Sequence, residues 1–290
     1  MPDSSSLPPS APPPSSPGRR ATPSSLSTTR RVRIATGSRL HLGMFSFGDP
    51  SVRQFGGVGL MVDRPGMELE IASRDAGKGD APNADIAALT QRAQQFARCF
   101  AQACRLPAAA LDSLAIRIVQ APPQHVGLGV GTQLALAVGR ALEAWFGLTP
   151  LPVAELARRL GRGRRSAVGI HGFERGGLIV EAGKFPGDDV SPLVTRLEIP
   201  AAWRFVLLAA KHPPGLCGAA EIAAFERLAA VPRQVTARLC EEALLGIVPA
   251  VRTADARAFG AAVDRFGRMA GETFAGEQGG LYASDRVESL

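Results

Sequence analysis

The chain has almost no lysine: three lysines stand against 30 arginines in 290 residues, which also hold one tyrosine, two tryptophans and four cysteines. Each scarcity excludes something. Cys99, Cys104, Cys217 and Cys240 form no CxxC pair and no Cys/His set at zinc spacing, so reduced thiols are expected. No apolar run approaches the ~18–20 residues of a membrane span. The N-terminal segment has arginines but no apolar stretch, so it is not a secretory signal. A cytoplasmic protein without a membrane partner is the expectation. The net charge is +7, but Arg19, Arg20, Arg30, Arg31 and Arg33 against Asp3 put +4 of it in the first 33 residues. The remaining +3 is spread out, which argues against a nucleic-acid partner.

Proline and serine are concentrated at the start, with eight of the 23 prolines and nine serines in the first 33 residues. Such a stretch cannot bury enough apolar surface to offset its chain entropy, so 1–30 reads as a disordered tail. Beyond it, Val32–Thr36 and Met67–Ser73 read as strands, separated by the Gly-rich run Phe55–Leu60. Apolar residues from Ile86 to Cys104 recur at helical spacing, and Leu114, Ile116 and Ile118 alternate as a strand. Gln133–Phe146 reads as an apolar helix. Thr149 as N-cap, Pro150 in the first turn and Gly161 at the end mark the next one. Strands are expected at Leu178–Glu181, Leu193–Ile199 and Arg204–Ala209, then helices near 217–230, 234–248 and 254–274. This order predicts an α+β protein of two domains, 31–190 and 191–290. The second half has few strands, and Ser284–Glu288 looks like a capped helix start of one turn, so that domain is expected to be incomplete.

Two segments carry chemistry. Gly127-x-Gly129-x-Gly131-Thr132 lies between a strand and a helix. Backbone N–H groups at a helix start attract anions, and glycines let a phosphate approach closely. The alternative is a tight packing turn. Without a lysine it is not a Walker loop, and no second strand ends in an acid about 20 residues on, as a dinucleotide site requires. The second segment is Gly161-Arg162-Gly163-Arg164-Arg165-Ser166, with His171, Glu174 and Gly176-Gly177 after it. Guanidinium forks bind phosphate and carboxylate, though a charge run can equally be a solvated loop. Arg39 and His41 follow the first strand, His125 borders the glycine loop, and His212 sits beside prolines. Asp63, Glu174 and Glu221 are scattered, so metal ligands cannot be read; a Mg²⁺ ion carried on a diphosphate needs few protein ligands.

These residues together resemble a known family. Pro123–Ala137 is similar to the P-x-x-x-G-L-G-S-S-A motif of the GHMP kinase superfamily, with Val130 and Gly131 where the kinases have serines. The closer resemblance is to the β-ribofuranosylaminobenzene 5′-phosphate synthases within it. It rests on Arg39-Leu40-His41, Gly56–Gly59, His125–Gln133, Gly161–Gly177, Gly218–Glu221 and Gln278–Ser284, and spans about 31–290. Gly169 stands where the kinases carry a catalytic aspartate. The resemblance implies a GHMP-kinase-like two-domain fold: a ribosomal-protein-S5-domain-2-like N-terminal domain and a ferredoxin-like C-terminal domain. It also implies a decarboxylating C-glycoside synthase that joins 5-phosphoribosyl 1-diphosphate to 4-aminobenzoate in tetrahydromethanopterin synthesis, with Mg²⁺ bound mainly through the diphosphate. A homodimer is compatible with it. On this basis Gly127, Gly129, Gly131, Thr132 and Gln133 are expected to hold the diphosphate. Arg39, Arg162, Arg164 and Arg165 are expected at the 5-phosphate or the carboxylate, and Glu174 is counted among the substrate-binding residues. His41, Arg165 and His171 are the expected catalytic residues, proton handling falling to His41 or His171. The alternatives are a GHMP-type ATP-dependent small-molecule kinase and an inactive truncated relic.

Overall fold

A computed structural model describes residues 30–74, 84–208 and 219–282. All but the last residue of the expected tail, and Cys217, His212 and Ser284–Glu288, lie outside the described residues. Two long strands, β1 (Arg31–Met44) and β2 (Gly57–Ser73), pair antiparallel over nearly their whole length. After β2 come α1 (Ala84–Ala103), β3 (Leu114–Gln120), α2 (Val130–Phe146), α3 (Val153–Arg159) and the single turn α4 (Val168–His171). β4 (Leu178–Glu181) and β5 (Leu193–Leu197) follow. The sheet order is β1-β2-β4-β5, with β3 on the second half of β2. The chain ends in α5 (Ala219–Arg227), α6 (Arg233–Glu241), a π-helical turn Glu242–Ile247 leading into α7 (Val248–Arg252), then α8 (Ala256–Glu272) and α9 (Ala275–Gln278).

β2 is 17 residues long, and each half serves a different core. Leu69 and Ile71 pack with Phe100, Leu134, Leu142 and Leu156 from α1, α2 and α3. Val58 and Leu60 pack with Phe45, Leu178, Ile247 and Phe266, under α6, α7 and α8. α2 is apolar on nearly every face and is buried accordingly. α8 keeps one apolar face, where Phe259, Phe266 and Ala270 are buried. The expected domain boundary at 190 falls between β4 and β5, hydrogen-bonded neighbours in one sheet.

The Gly-rich run adds Gly57–Leu60 to β2. Its glycines allow close layering: a Cβ on Gly59 would lie 2.7 Å from Val168 Cγ1 and 2.5 Å from Leu40 O. Two local expectations are corrected. Thr149 does not cap α3, which starts at Val153 after Pro152. Leu151 precedes that proline, which disfavours helical geometry there, and its N–H goes to buried Glu143 Oε1 at 3.0 Å. No strand forms at Arg204–Leu208, where Val206 and Leu208 are exposed; Ala209 lies outside the described residues. Among the described residues Cys99 is an exposed free thiol, Cys104 and Cys240 are half-buried free thiols, and no helix is long and apolar enough to cross a membrane.

Phe266 is fully buried and meets Phe45 edge-on at 6.0 Å between ring centroids. Phe266→Ala is expected to cost about 3–5 kcal/mol in urea unfolding followed by circular dichroism. A loss below about 1 kcal/mol would show that α8 does not hold the second core.

Candidate functional site: an arginine-lined helix start

The glycine loop ends at Gly129, the N-cap of α2, whose φ of 71° is left-handed and suits glycine. His125 and Gly127 also have positive φ, at 61° and 82°. A left-handed residue at every second position is the pattern of a loop that turns successive N–H groups to one side, an anion-binding nest. Gly129 has no side chain to cap the helix. Its carbonyl takes the N–H groups of Thr132 and Gln133 at 3.0 and 3.2 Å. Among the described residues no acceptor takes those of Val130 and Gly131.

β1 pins this loop. The Arg39 N–H donates to Leu128 O at 3.0 Å, and its guanidinium reaches Gly127 O at 3.3 Å. Arg162 Nη2 donates to Thr132 Oγ1 at 3.1 Å. A Cβ on Gly131 would lie 2.8 Å from Arg92 Nη2 and 3.7 Å from Arg162 Nη2. Arg92, on α1, was not legible as a site residue: nothing local distinguishes it from any solvent-facing arginine. It bonds to Gln124 Oε1 at 3.1 Å. The oxygens of Gly127, Thr132 and Gln124 in these contacts are neutral. Three arginines thus meet a helix start that is itself partly positive, an arrangement that suits a multiply charged oxyanion.

The other expected residues divide. Gln133, buried in the first turn of α2, donates to Gly169 O at 2.8 Å, and among the described residues its Oε1 has no hydrogen-bond partner. A Cβ on Gly169 would stand 3.2 Å from Gln133 Nε2 and 3.6 Å from Arg39 Cδ. The position where the kinases carry aspartate is therefore backbone pressed against the arginine site. Arg165 lies with its guanidinium over the Phe225 ring of α5, 4.7 Å from the centroid. Phe47, Phe55 and Phe274 surround that ring. Arg164 is exposed. Glu174 lies elsewhere, ion-paired with Arg140 on the C-terminal half of α2. His171 donates Nε2–H to Ser191 O at 2.7 Å, and burial lowers its pKa. His41 shares the strand face of Arg39. Burial, with the Arg39 charge beside it, lowers its pKa to about 3, and among the described residues its Nε2 has no hydrogen-bond partner. Both histidines are neutral at pH 7.

The chain is similar to several known proteins. Residues 88–173 match the family model for the GHMP kinases N terminal domain. The β-ribofuranosylphenol 5′-phosphate synthase of Archaeoglobus fulgidus is 32% identical over 81% of this chain and 74% of its own length. The protein of that name from Methanothermobacter thermautotrophicus is 28% identical over 80% of this chain and 74% of its own length. Among solved structures, the mevalonate diphosphate decarboxylase of Enterococcus faecalis superposes with a TM-score of 0.52 at 16% identity, over 86% of this chain and 76% of that one. That last likeness concerns the fold alone.

The sign of the His41 shift sets an acid sensitivity. Below its ordinary pKa of 6.5 the unfolded chain takes up a proton that the folded site refuses down to about 3. Folding stability should therefore fall as pH drops through that window, with His171 acting in the same direction. NMR titration should show the His41 ring unprotonated from pH 8 to 5. A midpoint near 6.5 would contradict the enclosure of the ring.

Proposed function

Since this chain belongs to the β-ribofuranosylphenol 5′-phosphate synthase family, we propose that it joins 5-phosphoribosyl 1-diphosphate to 4-aminobenzoate, releasing CO₂ and diphosphate, in the cytoplasmic synthesis of a tetrahydromethanopterin-type cofactor. The observation that carries this reading is the gathering of Arg39, Arg92 and Arg162 at the uncapped start of α2. The relatives are named for a phenol product, so 4-hydroxybenzoate is the acceptor to run beside 4-aminobenzoate.

The proposed chemistry asks for what these residues offer. The bond from sugar C1 to the diphosphate oxygen breaks, and its electron pair leaves with the diphosphate. N–H groups of Val130 and Gly131 and the nearby guanidinium groups take up the charge that develops there. The ring carbon bearing the carboxylate attacks C1. The bond to the carboxylate carbon then breaks, returns its pair to the ring and frees CO₂. No proton is consumed. A neutral His41 beside this site adds no charge against the C1 cation. Arg165 and the exposed Arg164 are the groups for the benzoate carboxylate or the 5-phosphate.

The donors around Gly131 are N–H groups, suited to anion oxygens. Among the described residues no group of three or more His, Cys, Asp or Glu is placed to hold a metal ion. In this proposal Mg²⁺ therefore arrives on the diphosphate, and when bound it would offset the leaving group's charge. The kinase alternative is disfavoured by Gly169, which supplies no carboxylate.

The test is incubation with phosphoribosyl diphosphate, Mg²⁺ and carboxyl-labelled acceptor, following labelled CO₂ and the aryl product in equal amounts. Gly129→Val or Arg162→Ala should lower turnover by about 100-fold or more. Wild-type protein that releases no CO₂ with either acceptor, or that phosphorylates a sugar or alcohol from ATP, would overturn the proposal.

A further inference from the structure

Glu181, the last residue of β4, has 0% of its surface exposed, yet carries a carboxyl group. Enclosing a carboxylate is costly, and β4 would pair with β2 equally well through an apolar residue, since ladder bonds are backbone. Among the described residues no lysine, arginine or histidine nitrogen comes within 4.0 Å of it. It is held by neutral donors instead. Ser166 Oγ–H and the Ala167 N–H each donate to it at 2.7 Å. The Val168 N–H and Ser191 hydroxyl also lower its pKa against the larger raising effect of burial. Ser191 Oγ accepts the Gly183 N–H at 2.8 Å, which leaves its own proton for the carboxylate.

Residues 166–168 directly follow the arginine loop. Three arginines in four positions repel one another, and Gly161 and Gly163, at φ 67° and 90°, give the loop little stiffness of its own. Its start is tied by Arg162 N–H to Ala157 O at 2.8 Å, and its middle by Lys184 Nζ to Gly163 O at 3.0 Å. Glu181 ties its end.

We propose that Glu181 is a positioning residue for the transfer reaction: through Ser166 and Ala167 it sets the Arg162–Arg165 loop so that Arg162 meets Thr132 and Arg165 lies over Phe225. This rests on reading that loop as part of the phosphoribosyl diphosphate site. Glutamine in its place keeps the volume but turns an NH₂ group toward donors, so the loop end is released.

The experiment measures binding of inorganic diphosphate by calorimetry, and steady-state kinetics, for wild type, Glu181→Gln and Ser166→Ala. Glu181→Gln should weaken diphosphate binding and raise the KM for phosphoribosyl diphosphate about tenfold or more, with a much smaller change in kcat. Ser166→Ala removes one of the bonds without leaving an opposed donor, so about a threefold effect is expected in folded protein even where Glu181→Gln does not fold. A lowered melting temperature with diphosphate affinity unchanged in both variants would make Glu181 purely structural and overturn the proposal. Wild-type protein that binds diphosphate but releases no CO₂ would sink the proposed function, while weaker diphosphate binding by both variants would still assign Glu181 to positioning the loop for the anion. Wild-type protein that binds no diphosphate would sink both.

Discussion

The start of α2 gathers positive charge: its first N–H groups and three arginine side chains face one opening. Its first N–H groups point past a glycine that cannot cap them. At the start of α8, by contrast, Asp255 supplies a cap and accepts the Ala258 N–H at 2.9 Å. At α2 the chain sets Arg39, Arg92 and Arg162 around the opening instead. The cost is tolerable because α2 is buried along its length and cannot shift away, while β1 holds the loop in front of it. The proposed binding of diphosphate would draw on that stiffness. Donors that stay apart before the anion arrives need little rearrangement to hold it.

The long β1–β2 pair explains how two cores share one site. One half of β2 serves the helices that follow it, and the other serves the helices at the far end of the sequence. The arginine loop reaches elements from both parts. Arg162 contacts the first turn of α2, whereas Arg165 rests on Phe225 of α5. Glu181 and Lys184, at and just beyond the end of β4, hold it from beneath. Changes in the C-terminal helices therefore reach the arginines directly through an aromatic contact.

Membership in this synthase family and likeness to the GHMP kinase fold fit together chemically. The scaffold retains a glycine loop at a helix start, which suits any phosphorylated substrate. Gly169, which the resemblance matches to the kinases' aspartate, offers only backbone there, bonded to Gln133 and packed on Arg39. Both histidines near the site are kept neutral, one by burial beside a guanidinium and the other by burial despite its bond to a carbonyl.

Local spacing alone was enough for the helix from 84 to 103, the apolar helix after the glycine loop, the buried face of α8 and the short strands 114–120 and 178–181. Each rests on a period or punctuation that neighbours in sequence carry. The same local rules singled out the glycine loop and the arginine loop as candidate segments, which the structure brings together through Arg162 and Thr132. They could not show that Gly57–Leu60 is strand, because its glycines answer to Leu40 and Val168, both distant in sequence. Nor could they show that Glu174 pairs with Arg140, that Arg92 joins the site, or that Glu181 anchors it. Charge and hydrogen-bond capacity belong to a residue and can be read one at a time. Which charge faces which depends on how strands far apart in the chain come together, and only the tertiary structure decided that.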